Sequence, residues 1–245
     1  MKLLGLIGFP LSHSFSAAYF AAKFEQLALH EYEYRNFPIP SIEAFPPLIR
    51  EYVDLIGLNV TIPYKQQVIP YLDELDPTAA ALKAVNTIHF KHGKTIGYNT
   101  DVIGFEQSFQ PLVQPHHTHA LILGTGGAAQ AVAAVLKKIG IHYLFVTRGN
   151  AGTDRINYTD LNYYYYKQFK VIINCTPLGM YPNTEAFPLL DYSLLNAQHL
   201  LFDTVYNPAQ TQFMLKGAAH GVTTKNGYDM LVFQAEAAWK IWNTP

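Results

Sequence analysis

The chain has 245 residues, 49% of them apolar, and 17 basic against 18 acidic side chains give a formal net charge of −1. That length buries a sizeable core in one large domain or two small ones, and such apolar content at low net charge excludes a disordered chain. No surplus of Lys or Arg is available to neutralise nucleic-acid phosphates, no apolar run reaches the roughly 20 residues of a membrane span, and the single Cys175 excludes an intramolecular disulfide framework.

The opening residues MKLLGLIGFPLSHS read as a buried first strand, Leu3–Gly8, because the apolar run is too short for a secretory leader and is broken by Pro10. A soluble cytoplasmic protein is expected, in keeping with one cysteine and a reducing compartment. A first helix over Ser14–Leu29, strands at Tyr32–Phe37 and Ile56–Ile62, and prolines at 38, 40, 46 and 47 between them continue an alternation of strand and helix. Asp76-Pro77-Thr78 predicts a capped helix running to Lys83. Val85–Phe90 and Thr95–Tyr98 flank His92-Gly93 as a hairpin.

Helix is predicted again beyond Asp101. The stretch Gln110–His119, with two prolines and three histidines, reads as a solvated linker rather than a metal site, since no carboxylate or Cys stands at ligand spacing. A second α/β half follows, with strands at Ala120–Leu123, Tyr143–Thr147, Val171–Asn174, His199–Asp203 and Val222–Thr224. The tyrosines of Tyr163–Tyr166 are read as β-rich, half-buried packing. A last helix, Tyr228–Trp242, spaces its apolar residues at helical period.

Between the first strand of the second half and its helix lies Gly124-Thr125-Gly126-Gly127-Ala128-Ala129, a G-x-G-x-x-A turn. The first glycine permits the tight turn, the second lets backbone approach a pyrophosphate, and free N–H groups at the helix start hold phosphates. About 20 residues on, where an acidic side chain would grip the ribose of NAD, the chain reads Thr147-Arg148-Gly149, and Arg148 favours a 2′-phosphate, hence NADP.

In the first half, polar residues interrupt apolar strands at their carboxyl ends: Ser14 and Ser16, then Asn59 and Thr61 with Lys65, then Asn86. Ser14 taken alone reads better as a helix cap. Together these donors suit a small hydroxylated molecule, uncharged to anionic. Lys65 and Asp101 are the titratable pair, readable either as a proton donor with its partner carboxylate or as an ordinary salt bridge.

The motifs GFPLSHSFS from Gly8, NVTIPYK from Asn59, AVNT from Ala84, GYNTDVIG from Gly97, NCTPLGM from Asn174, DTVYNP from Asp203 and GYDMLVFQA from Gly227 resemble, in order, those of the shikimate dehydrogenase family (shikimate/quinate dehydrogenases). That resemblance implies reversible NADP(H)-linked reduction of 3-dehydroshikimate to shikimate in chorismate and aromatic amino-acid biosynthesis. It implies Lys65 as acid/base at the C3 oxygen with Asp101 as its partner. Ser14, Ser16, Asn59, Thr61, Asn86, Tyr206 and Gln234 would contact substrate. Gly124, Thr125, Gly126, Gly127, Ala128, Thr147, Arg148, Val205 and Gly227 would contact cofactor. No metal is implied.

Four departures from the family pattern stand out. Ala17 replaces a proline, Lys83 replaces the glycine before Ala84-Val85-Asn86-Thr87, Asn150-Ala151-Gly152 lacks the second basic residue expected after Arg148, and the segment from Gly149 to Lys170 is trimmed. The expected fold is α/β: a substrate-binding domain over 1–101, a Rossmann-type NADP domain over 102–226, and a C-terminal helix over 227–245 returning to the first, with both ligands in a cleft between the domains. Two alternatives stay open at this point: a broader quinate/shikimate enzyme using NAD or NADP, and a non-catalytic ligand- or NADP-binding homologue. Monomer or homodimer, with a small-molecule substrate as the only partner, completes the expectation.

Overall fold

A computed structural model describes residues 1–11, 15–149 and 151–244. The chain divides into two compact units, Met1–Thr100 with Ala235–Pro245, and Asp101–Gln234.

In the first unit the elements run β1 (Lys2–Gly8), α1 (Phe15–Gln26), β2 (Tyr32–Pro38), α2 (Phe45–Glu51), β3 (Leu55–Val60), β4 (Glu74–Leu75), α3 (Pro77–Leu82), β5 (Thr87–Lys91) and β6 (Lys94–Tyr98). Six strands form one sheet in the order β2-β1-β3-β5-β6-β4. The pairs of β1 with β2 and β3 are parallel, and β5 joins β3 and β6 antiparallel. Because side chains alternate along β1, Leu3 and Ile7 enter one core with Phe45, Leu58 and Val60, while Leu4 enters another with Phe20 and Phe24. A strand covered on both faces has to be apolar almost throughout, which is why KLLGLIG reads as a continuous run.

Local chemistry fixes the ends. Asp76 caps α3 by accepting from the N–H groups of Thr78 and Ala79 at 2.9 and 3.2 Å, with Pro77 in the first turn. Lys83 ends the helix at φ 51°, taking up the left-handed conformation that the glycine it replaces would adopt without strain. His92 and Gly93 both have positive φ, 53° and 76°, as a two-residue hairpin turn requires.

In the second unit, α4 (Asp101–Phe109), β7 (His119–Leu123), α5 (Gly127–Lys138), β8 (His142–Thr147), β9 (Arg155–Asn157), α6 (Tyr163–Gln168), β10 (Val171–Asn174), β11 (Leu200–Asp203), α7 (Gln212–Ala218) and β12 (Thr223–Lys225) follow. The sheet runs β12-β11-β10-β7-β8-β9 with every pair parallel. That is the doubly wound order of dinucleotide-binding sheets, with the switch point between β7 and β10. Ala120 and Ile122 face a core shared with Ala129, Val132 and Leu136 of α5, and Leu121 and Leu123 face the opposite one with Tyr166 and Phe213.

A last helix, α8 (Tyr228–Trp242), carries the chain from the second unit's residues to those of the first. Its Ala235, Ala238 and Trp242 complete the core around Leu4, Phe20 and Phe24. A Cβ on Gly57 would lie 2.1 Å from the Trp242 indole Nε1, so only glycine leaves room for the ring, whose N–H donates to the Ile88 carbonyl at 2.9 Å. No helix among the described residues is long and apolar enough to cross a membrane.

Two readings of the sequence need correction. The tyrosine run is helical, in α6, with Tyr166 buried and Tyr163 and Tyr164 exposed; Asn162 caps it by accepting from the Tyr164 N–H at 3.0 Å. The stretch Gln110–His119 is exposed at six of its ten residues, as expected of a solvated segment, but it is pinned rather than a loose linker. It holds a short 3₁₀ turn over Gln110–Leu112, a buried His117 whose Nε2 lies 3.2 Å from the Gln198 carbonyl, and the first residue of β7. Strands β4 and β9 have two and three residues, too short for an alternation to register.

Candidate active site

The carboxyl ends of β1 and β3 and the start of β5 gather the polar residues of the first unit. Ser14 lies outside the described residues; Ser16 sits in the first turn of α1. The Ser16 hydroxyl donates to the phenolic oxygen of Tyr34, and the Tyr34 hydroxyl donates to Asn59 Oδ1 at 2.8 Å. Burial pushes the Tyr34 phenol far up, so it stays protonated and serves as a donor. Its ring stacks on Phe20 with centroids 4.8 Å apart.

Asn59, 4% exposed, also donates through Nδ2 to the Asn86 carbonyl and to Thr87 Oγ1, both at 3.3 Å. With donors and acceptor all engaged, Asn59 holds its neighbours in place. Asn86 Oδ1 in turn accepts from the Thr100 N–H at 2.7 Å, the Thr100 hydroxyl at 3.2 Å and the Thr87 hydroxyl at 3.1 Å, while Nδ2 donates to Thr100 Oγ1 at 3.0 Å. Thr100 is the residue before Asp101, so this side chain fixes the backbone from which the predicted acidic partner departs. Asp101 itself is buried at the start of α4.

Thr61 extends β3, its N–H donating to the Ile7 carbonyl at 2.9 Å. Gly8 lies so close that a Cβ there would meet Thr61 Cγ2 at 2.4 Å. Lys65 follows one turn later, half-buried, and its carbonyl accepts from the Val85 N–H at 2.7 Å, which ties the Lys65 loop to the residue beside Asn86. Tyr64 anchors the same loop, its hydroxyl donating to the Ile39 carbonyl at 2.7 Å. Ser16, Asn59, Thr61, Lys65 and Asn86 are thus brought to one end of one sheet by main-chain and side-chain bonds.

In the second unit the glycine turn joins β7 to α5 as expected. Gly124 has φ +99°, a conformation suited to glycine, and a Cβ there would press on Thr176 and the Cys175 carbonyl at 3.2 and 3.4 Å. Gly126 is the N-cap residue of α5, no side chain caps the helix, and a Cβ on Gly126 would meet nothing within 4 Å. Thr125 and Gly126 are exposed, and Gly127 and Ala128 half-exposed, so the first N–H groups of α5 look out at the carboxyl edge of the sheet. The helix dipole adds positive potential there. At the end of β8, Thr147 Oγ1 accepts from the Gly149 N–H at 3.1 Å, and the Arg148 side chain is exposed beside it. An open glycine cradle at a helix start with a guanidinium one strand away fits a dinucleotide bearing a 2′-phosphate.

Two of the remaining predicted residues, Val205 and Tyr206, follow Asp203, the last residue of β11, and the other two, Gly227 and Gln234, lie at and within α8. The Asp203 carboxylate accepts from Asn174 Nδ2 and the Val205 N–H, each at 3.0 Å, and from the Thr211 hydroxyl at 2.6 Å. Burial pushes the Asp203 pKa up to about 6 against those three donors. Val205 is buried and its carbonyl accepts from the Gly227 N–H at 3.0 Å. Gly227 packs on the Thr204 backbone, where a Cβ would fall 2.3 Å from the Thr204 carbonyl oxygen. Gly227 is therefore a close-packing position between the β11 loop and the start of α8. Tyr206 follows Val205 in that loop, half-exposed, with its phenol pushed up by burial. Gln234, in α8, is buried and donates to the Leu231 carbonyl at 2.9 Å.

Sequence reasoning missed Tyr34, Thr87, Thr100 and Asp203 as members of these networks. Thr87 and Thr100 stand inside motifs already singled out; nothing in YEYRNFP marks Tyr34, whose partners come from other elements. The three histidines of the presumed linker do not converge with other ligands: among the described residues no group of three or more His, Cys, Asp or Glu side chains is placed to hold a metal ion.

The all-parallel sheet in doubly wound order, with its glycine turn and helix, defines a dinucleotide-binding unit, here in one chain with a second α/β unit that presents a polar cluster. Residues 6–88 match the family model of the shikimate dehydrogenase substrate binding domain. The NADP(+) shikimate dehydrogenase of Desulforamulus reducens is 35% identical over 270 residues, covering 98% of this chain and 89% of that one. Among solved structures, the Thermus thermophilus shikimate 5-dehydrogenase in complex with NADP(H) and shikimate superposes with a TM-score of 0.85 at 28% identity, covering 99% and 94% of the two chains. The 5-ketofructose reductase of a Gluconobacter strain also superposes with a TM-score of 0.85, at 27% identity, covering 98% and 92%. The chain belongs to the shikimate dehydrogenase family.

Proposed function

We propose that this chain catalyses the reversible NADPH-dependent reduction of 3-dehydroshikimate to shikimate, a step of chorismate and aromatic amino-acid biosynthesis. The observation that carries the reading is the whole-chain likeness to NADP-dependent shikimate dehydrogenases, joined to a polar cluster of Ser16, Asn59, Thr61, Lys65 and Asn86 held at one sheet end. Bound NADPH supplies the hydride; the chain supplies alignment and the proton.

In this scheme Lys65 Nζ donates a proton to the C3 oxygen as that carbon is reduced, and in the reverse direction takes it from the hydroxyl. Asp101 is its partner, shielding the cation and returning the proton. Ser14 and Ser16 meet the substrate carboxylate, Thr61 and Asn86 the ring hydroxyls, and Tyr206 and Gln234 complete the contacts. Asn59 acts by holding Asn86 and Thr87. Gly124 to Ala128 take the pyrophosphate on the helix start, Thr147 and Arg148 the adenosine 2′-phosphate, and Val205 and Gly227 shape the loop wall at the nicotinamide end. The proposal places the activity in the cytoplasm, as a monomer or homodimer with small-molecule ligands only.

One fold carrying a 5-ketofructose reductase among its members is the reason to measure substrate choice directly. The test is the initial rate at 340 nm with shikimate or quinate and with NADP+ or NAD+. Turnover of shikimate with NADP+ well above the other three pairs is expected. Comparable rates with quinate or NAD+ would replace the reading with a broader quinate/shikimate dehydrogenase. Absence of turnover from folded protein that still binds shikimate would make it a non-catalytic homologue.

A further inference from the structure

We propose that Tyr158 is a cofactor-specificity residue, its hydroxyl joining the Arg148 guanidinium in holding the 2′-phosphate of the bound dinucleotide. The inference rests on the NADP-linked reading above.

Strands β8 and β9 are parallel, with Thr147 opposite Asn157, so Arg148 and Tyr158 are the next residues at the carboxyl ends of neighbouring strands. Ligands of open parallel sheets lie at that edge. Among the described residues no helix intervenes in the short connection from Thr147 to Arg155, and Asn157 Nδ2 donates to the Gly149 carbonyl at 3.0 Å, pinning the two strand ends together. The short connection therefore brings Tyr158, the residue that follows β9, next to Arg148 in the strand register.

The Tyr158 ring packs on the core that contains Val146 and Ile156. Its hydroxyl is buried without a hydrogen-bond partner, and no other buried side-chain polar atom of the described residues shares that condition. Burial pushes the phenol up to about 12, the Arg148 guanidinium pulls against that, and the Cys175 thiol beyond β10 acts in the same sense as burial. The hydroxyl is thus protonated at neutral pH and able to donate, and it lies within the electrostatic reach of Arg148, Cys175 and Tyr166. In the sheet, β7 lies between β8 and β10.

A phosphate has more acceptor sites than one guanidinium can satisfy, and no Lys or Arg stands between Arg148 and Arg155. The unpartnered hydroxyl of Tyr158, on the residue next to Arg148 in the strand register, is a further donor for it. It regains its hydrogen bond only when an acceptor arrives, so the gain falls on the phosphorylated cofactor and is withheld from NAD.

The test is Tyr158→Phe in the full chain, which keeps the ring and removes the donor. Dissociation constants for NADPH and NADH by fluorescence titration, and melting midpoints with and without NADP+ or NAD+, are the readouts. Expected are an NADPH dissociation constant raised about tenfold, an NADH constant unchanged, and a smaller NADP+-induced rise in melting temperature. In an Arg148→Ala background the same substitution should change NADPH binding far less, because the phosphate is no longer held there. Equal weakening for both cofactors, or a higher unliganded midpoint with binding unaltered, would overturn the proposal and make Tyr158 a packing residue. Wild-type protein with no preference for NADPH over NADH would overturn the NADP reading itself, whereas a preference that Tyr158→Phe leaves intact defeats this inference alone.

Discussion

Replacing Asn86 by alanine removes the acceptor that holds the chain just before Asp101. Thr87 and Thr100 are both fully buried, and their hydroxyls lie 3.3 Å apart, so each retains a partner in the variant. The Thr100 N–H loses its 2.7 Å bond to Asn86 Oδ1. Losing that bond in the interior costs about 1–3 kcal/mol, and the small void left by the amide adds about 1 kcal/mol, for a total of about 3 kcal/mol. In a unit of this size that lowers the melting midpoint by on the order of 10 °C. Thermal denaturation followed by circular dichroism measures it, alongside shikimate kinetics. Asn86→Asp, which keeps the acceptor, should recover most of the stability while still raising KM. An alanine variant melting within a degree or two of wild type would refute the argument that this side chain carries the loop.

Two further outcomes concern backbone strain and buried titratable groups. Lys83 occupies a left-handed position at φ 51°, so Lys83→Gly should stabilise the first unit by about 1 kcal/mol; a loss of stability on denaturant unfolding would show that the lysine side chain contributes more than its backbone strain takes away. Burial lowers the pKa of His117, His119 and His199, with Lys170 adding to the effect on His199. Because the unfolded chain takes up protons near pH 6.5 before these folded imidazoles do, their stability contribution is complete above that value and is lost as pH falls. Asp203, raised by burial to about 6, has the opposite sign, favouring the folded state as pH drops from about 6 towards 3.8. Melting midpoints should therefore fall between pH 7.5 and 6; a rise over that interval would contradict the assignment of neutral buried histidines.

The parts of the fold governed by short-range rules were legible in the sequence. Asp76-Pro77, His92-Gly93 and the glycine turn at Gly124 each combine a backbone requirement with the residue type that meets it, and each is found where expected. The strands of KLLGLIG and HALIL are buried on both faces and announce themselves as apolar runs. Tyr163–Tyr166 misled because aromatic β-propensity is a statement about packing surfaces, and here a capping Asn162 and two adjacent inward tyrosines, Tyr165 and Tyr166, settle the segment as helix. His117 escaped notice because a polar stretch can still be pinned by a partner far along the chain, in this case the Gln198 carbonyl. At the candidate site, residue types and their order pointed to the chemistry, but Asn59 and Gly227 illustrate what one dimension conceals. Asn59 is fully engaged with Tyr34, Asn86 and Thr87, and Gly227 is required by the Thr204 backbone.

The most direct test of the central claim is Lys65→Ala, measured for shikimate binding by calorimetry and for NADPH formation at 340 nm in the same preparation. The account predicts that shikimate still binds, within about tenfold of wild type, while kcat falls by roughly 10²–10⁴, the range expected when a positioned acid/base is removed. Turnover close to wild type in that variant would take the proton from Lys65 and contradict the mechanism proposed for this chain.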